Sequence, residues 1–118
     1  PYLNEEAKWL KGVVESDEWK NAERRIVFNH IPPQIKDAWH GNLNMSEKFL
    51  PILNGARVDL MLSGHVHKYS FREVGSTDAS FPVITNGQWQ RMEITVNAKK
   101  IAVRIYDTDG NLTHTADL

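Results

Sequence analysis

The sequence predicts an α/β fold in which parallel strands run into an antiparallel meander. Three observations carry this reading. An uninterrupted apolar run, Ile26-Val27-Phe28, and a largely apolar one, Val58 to Leu62, read as buried strands. A helix-forming stretch lies between them, and strand, crossover with helix, strand is the layout of a parallel pair with a right-handed connection. Beyond Ser70 the period drops to two: Met92, Ile94 and Val96, then Ile101, Val103 and Ile105, alternate with polar residues.

The elements follow in order. Leu3, Ala7, Leu10 and Val14 recur at helical spacing. Asn4 is placed to cap that helix, with Glu5 and Glu6 at its positive end. The helix is expected to fade at Ser16-Asp17, leaving Trp19 in a short polar segment. The first strand, a central one by its composition, ends before His30, and Pro32-Pro33 prevents its continuation. Residues 34–43 have weak periodicity and read as loop or a loose turn of helix. Asn44 and Glu47 have the spacing of a capping box, followed by an apolar face of Phe49, Leu50 and Leu53. Pro51 limits or restarts that helix, and Asn54-Gly55 stops it. After the second strand, Phe81-Pro-Val-Ile-Thr and the two alternating segments read as antiparallel strands. Asn97 to Lys100 and Asp107 to Asn111 form the turns, the latter with an Asp-Gly suited to tight reversal.

Composition excludes several classes. A chain of 118 residues is of single-domain size. Its 14 basic and 15 acidic residues nearly cancel, and the longest basic clusters are the pairs Arg24-Arg25 and Lys99-Lys100. Such pairs are too short to track a phosphate backbone, so nucleic acid is not indicated. No apolar stretch approaches the roughly 18 residues of a membrane span, no targeting segment is visible, and the compartment stays open. Without cysteine there are neither disulfides nor thiolate ligands. Because the chain opens without methionine at the edge of a helix, it reads either as a processed or excised piece or, equally, as an arbitrary chain boundary.

Chemistry concentrates in histidine. SGHVHKY, residues 63–69, sets His65 and His67 behind a glycine at the end of the second strand. His30 stands just past the end of the first. Adjacent parallel strands would bring these tips within about 5 Å, and the carboxyl ends of parallel strands are where open α/β sheets bind ligands. Imidazole suits zinc, iron and manganese. A single histidine in such a place is commonly a loop residue making one polar contact; two matching strand ends argue for convergence on an ion. His40, in AWHGN, is a weaker candidate from a loop, and His114 reads as structural, far from the others. Trp9, Trp19, Trp39 and Trp89 read mainly as packing residues, Trp39 being the best placed as a substrate platform. Asn86-Gly87 reads as a turn or a close backbone approach to the site.

On Gly64-His65-Val66-His67 and the earlier VFNHIPP, the sequence resembles the C-terminal half of a calcineurin-like metallophosphoesterase. An aromatic residue two places after the second histidine, Tyr69, leans toward the purple-acid-phosphatase-like branch. The resemblance extends over essentially the whole chain. It implies the C-terminal half of a four-layer α/β/β/α sandwich, so that residues 1–118 form a partial domain. It further implies hydrolysis of phosphomonoesters or phosphodiesters through two divalent or transition metal ions, zinc, manganese or iron, with His30 and His65 on one ion and His67 on the other. The family's other ligands lie in an Asp-x-His, a Gly-Asp and a Gly-Asn-His-acid motif, none of which occurs here. Asp59 sits inside an apolar strand and is no substitute.

This absence shapes the expectations. Two-metal hydrolysis needs a clamp that holds both ions and the attacking water. Three neutral imidazoles offer no charge to offset the ions. The isolated chain is therefore expected to be inactive and to bind metal weakly or not at all. Its partners are expected to be a phosphate ester in the parent protein and, for the chain itself, either the missing half or a second copy that covers the exposed edge. The alternative is a non-catalytic protein-interaction domain on the same fold.

Overall fold

A computed structural model describes residues 2–33 and 43–118 of the chain. Helix α1 spans Tyr2–Glu15 and α2 spans Asp17–Asn21. Strand β1 is Ile26–Asn29. Helix α3 has a π-helical part, Met45–Phe49, and an α-helical part, Leu50–Leu53. Six strands follow: β2 Leu60–Ser63, β3 Ser70–Arg72, β4 Val83–Thr85, β5 Arg91–Val96, β6 Ile101–Tyr106 and β7 Leu112–Asp117. The expected α/β class holds, with parallel strands leading into an antiparallel meander.

The strands make two facing sheets, one ordered β1-β2-β4-β3 and the other β5-β6-β7. Side chains alternate along β2 and so build two cores. Met61 points to a layer that joins Met45, Leu50 and Leu53 of α3 to Phe81 and Val83, with Leu10 and Val14 of α1 against it. Leu60 and Leu62 point the other way, onto Ile84 and the inner row Ile101, Val103 and Ile105 of β6. The described residues thus form three layers: helices, first sheet, second sheet. The outer face of the second sheet is polar. There Arg104 pairs with Asp117 at 3.1 Å, Arg91 pairs with Glu93, and the Arg91 guanidinium lies 4.7 Å over the Tyr106 ring.

Several local expectations shift. Helix α1 begins at Tyr2, which puts Asn4 inside it; its side chain accepts from Lys48 Nζ at 2.9 Å instead of capping. Trp19 is helical because Ser16 caps α2, its Oγ accepting the Trp19 N–H. The buried Arg25 guanidinium closes the far end by donating to the carbonyls of Trp19 and Lys20, both at 2.8 Å. Helix α3 already includes Asn44, so no capping box forms. Pro51 has no N–H to give; the Leu50 N–H reaches back five residues to the Met45 carbonyl, and the helix changes from π to α at that point. Val83–Thr85 joins the first sheet, parallel to β2 and antiparallel to β3, rather than opening the meander.

The main correction concerns β1. Composition suggests a central strand, but here β1 is an edge, and Phe28 is 73 % exposed. An apolar run shows that a strand is to be covered on both faces without showing which polypeptide lies beside it.

The turn at Asp107 yields a prediction. Its Oδ1 accepts the N–H groups of Asp109 and Asn111, each at 2.9 Å. The Asn111 backbone bond is the main cause that holds this carboxyl below its ordinary range. A depressed folded-state value means that the charged form favours folding above the unfolded value of about 3.9. That contribution is lost as pH falls through the folded value. Asp107→Ala is expected to lower the thermal midpoint near neutral pH, and the gap to the wild type should narrow below about pH 4. Circular dichroism melts across that range test this; a gap independent of pH refutes it.

Candidate functional site

β1 and β2 pair in parallel with Asn29 opposite Ser63. His30 and Gly64 therefore leave the sheet side by side, and the Gly64 N–H donates to the His30 carbonyl at 3.0 Å. One residue further on the imidazoles meet. His65 Nδ1 and His30 Nε2 are 3.2 Å apart, with the rings nearly perpendicular and their centroids 5.0 Å apart.

The sharp turn after β2 does not fall on Gly64. Its N–H is still bonded to the neighbouring strand, so the reversal falls on His65, whose φ is +68°. The Val66 N–H closes back on the Gly64 carbonyl at 2.7 Å, a three-residue turn of the rare left-handed kind that stores strain. His67 is left-handed too, at φ +64°, and exposed. Among the described residues no group of three or more His, Cys, Asp or Glu is placed to hold one ion. The structure thus brings His30 and His65 together and gives no three-ligand cluster with His67. His40 and Trp39 lie outside the described residues.

A second loop presses on the first. The Asn86 N–H donates to the Ser63 carbonyl at 2.9 Å, extending the ladder between β4 and β2. The Gln88 N–H donates to the His67 carbonyl at 3.1 Å, and Asn86 Nδ2 donates to the Gln90 carbonyl at 3.0 Å. Gly87 eases this approach: a Cβ there would lie 3.3 Å from the Tyr69 nitrogen and 2.3 Å from Gln90 Oε1, so the Gln90 side chain would have to move. Beneath these tips the Ser63 and Thr85 hydroxyls share a buried hydrogen bond of 2.9 Å.

The two loops overhang a cavity of about 460 Å³. Polar groups of Asn29, His30, Ser63 and Asn86 stand at one end, and Phe28, Leu62, Met92 and Ile94 form its apolar wall. Asn86 Oδ1 is buried and has no hydrogen-bond partner among the described residues. It is an acceptor still open to a donor or a cation. Sequence reasoning took Asn86-Gly87 as a turn or a close backbone approach to the site and gave the Asn86 side chain no role. The signal that could have found it is its place just beyond a buried strand, the same place that His30 and Gly64 occupy.

Other candidates resolve into structural roles. Tyr69 packs against the sandwich core and stacks on His114, with centroids 3.7 Å apart and planes 22° apart. Burial pushes its phenol up, so the group is a neutral hydroxyl at physiological pH. His114 keeps its structural reading but lies against the residue two places beyond His67, closer than expected. Asp59 is engaged at the opposite end of β2, where it accepts the Arg25 N–H at 2.7 Å.

The class defined by fold and site is an α/β domain of three layers with an imidazole pair at the carboxyl ends of its parallel strands. No family model matches the chain, and a search of curated proteins finds no match. Among solved structures it is similar to Vps29 from Entamoeba histolytica. With the wild-type protein complexed with Zn²⁺, identity is 19 % and the TM-score 0.42, covering 71 % of this chain and 50 % of that one. A double mutant of the same protein gives 19 % identity and a TM-score of 0.43, with 72 % and 51 % covered. The chain spans about half the length of these structures. No described helix is long and apolar enough to cross a membrane.

Proposed function

We propose that residues 1–118 are the histidine-bearing part of a calcineurin-like metallophosphoesterase domain, and that the chain alone is non-catalytic. The observation that carries this is the pair of imidazole nitrogens 3.2 Å apart on two hydrogen-bonded strand tips. At a zinc–nitrogen distance of ~2.0–2.1 Å, that separation subtends about 100° at a common ion, close to tetrahedral. Buried, unpartnered Asn86 Oδ1 adds an oxygen acceptor in the same cavity. The donor set fits a divalent transition ion. His30 and His65 would hold it, His67 would serve a second ion, and carboxylates from other polypeptide would complete both. When bound, such ions supply Lewis-acid polarisation of a phosphoryl oxygen and an activated water. The chain's own contribution is orientation, by imidazoles fixed on a rigid parallel ladder.

The second reading is a non-catalytic protein-interaction domain on the same fold. For the chain as it stands this reading has the more direct support, because the described residues hold no three-ligand cluster. It is also favoured by the uncovered edge at β1, where Phe28 and Trp9 are 73 % and 65 % exposed.

Calorimetric titration of the chain with Zn²⁺ tests the site. Weak binding is expected, lowered about tenfold or more by His30→Ala and again by His65→Ala, since loss of a mere supporting residue already costs that much. Affinity indifferent to both changes refutes the histidine pair as ligands. Adding a polypeptide that carries the acidic motifs separates the two readings. Metal-dependent hydrolysis of an aryl phosphate supports the first; association without hydrolysis supports the second.

A further inference from the structure

We propose that Trp89 is a stacking platform for a planar aromatic group on the phosphoester that the histidine site would take. This rests on the phosphoesterase reading above and names its substrate class.

Trp89 is 77 % exposed, more than any other large apolar side chain described, so it contributes almost nothing to either core. It also sits in an unfavourable conformation, with φ at +60°. A bulky residue there is a genuine outlier, and a turn needing only that geometry takes glycine or asparagine. Among the described residues, four that are not glycine have positive φ: Arg57, His65, His67 and Trp89. The last three lie in the two loops that touch at this site. Strain gathered in this way is a mark of functional loops.

Placement supports the role. The residue before Trp89 donates its N–H to the His67 carbonyl at 3.1 Å, and Asn86 ties the start of the loop to the tip of β2. The backbone that carries Trp89 is therefore held next to the histidine turn. A phosphoester anchored by its phosphoryl group at the imidazole pair must direct its organic group away from the strand tips, toward the rim where these loops meet. Indole offers a flat, rigid face at low entropic cost, and aromatic pairs gain from stacking beyond simple area burial.

The test compares phenylphosphonate with methylphosphonate, neither of which can be hydrolysed at phosphorus, by NMR titration of the Zn²⁺-loaded chain. The wild type is expected to prefer the phenyl compound by about three- to tenfold. Trp89→Ala and Trp89→Gly are expected to bring the ratio close to one. Trp89→Gly should also melt no lower than the wild type, because glycine accepts the left-handed backbone freely. Three results overturn the platform while leaving the metal site standing: no phenyl preference in the wild type, a preference kept in Trp89→Gly, or a markedly lower melt for that variant. Zn²⁺ binding with no binding of either phosphonate overturns the phosphoester reading, and the platform with it.

Discussion

Phe81→Ala is expected to remove a large share of the stability of the fold. Phe81 is only 1 % exposed and lies where α3 meets the first sheet, among Met45, Leu50, Leu53, Met61 and Val83. Truncating a buried phenylalanine costs about 3–5 kcal/mol, from lost transfer energy and the cavity left behind. Domains of this kind have about 5–15 kcal/mol in total. The neighbours cannot close the gap cheaply. Leu50 and Leu53 belong to a short helix whose register is set by Pro51, while Met61 and Val83 are fixed in paired strands. Urea unfolding followed by circular dichroism should show a much lower midpoint with a similar slope. Phe81→Leu, which keeps most of the volume, should cost about 1.5 kcal/mol or less. A loss below about 1 kcal/mol for the alanine variant would show that this layer is loosely packed and that the helices are not seated as described.

The second large effect is expected on association. Among the described residues β1 offers an unpaired strand edge, and Phe28 stands on it between the cavity below the histidines and a smaller one lined by Trp9, Leu10, Val27, Met45 and Phe49. Met92 and Ile94 of β5, an edge strand of the second sheet, face the first cavity. Both sheets are thus open on the same side. Fully burying a phenylalanine contributes about 1.5–3 kcal/mol, so two aromatic anchors plus strand pairing favour pairing with another polypeptide. Sedimentation velocity of the wild-type chain should show dimers or larger species. Trp9→Asp combined with Phe28→Asp should return it to monomer, because each carboxylate would have to be desolvated in the contact. Both side chains are largely exposed, so the double variant should keep the wild-type far-UV spectrum. A wild type that stays monomeric at high concentration refutes the open edge as an association surface.

How much of this was legible beforehand differs by element. The strands and the meander could be read because alternation along β5 and β6 states directly which residues face inward. The pairing of His30 with His65 could also be read, since each follows an apolar run of similar length, and parallel neighbours place equivalent ends together. Helix α2 was missed because five residues carry too little periodicity. Its stability comes from Ser16 at one end and from Arg25, four residues past its end, at the other. Assigning Val83–Thr85 to the meander failed for a related reason. A three-residue apolar run shows that a strand is buried without showing its direction or its neighbour.

The amino-acid order by itself determined the strand runs, the turn chemistry at Asp107 and the imidazoles at two strand ends, because each is a matter of residue type at local spacing. Only the tertiary structure decided that β1 is an edge among the described residues, that the left-handed turn falls on His65 rather than Gly64, and that the loop of Asn86 and Trp89 packs against the histidine turn. Those facts depend on which backbone groups are already bonded across the sheet and on how two distant loops meet. No local pattern records either.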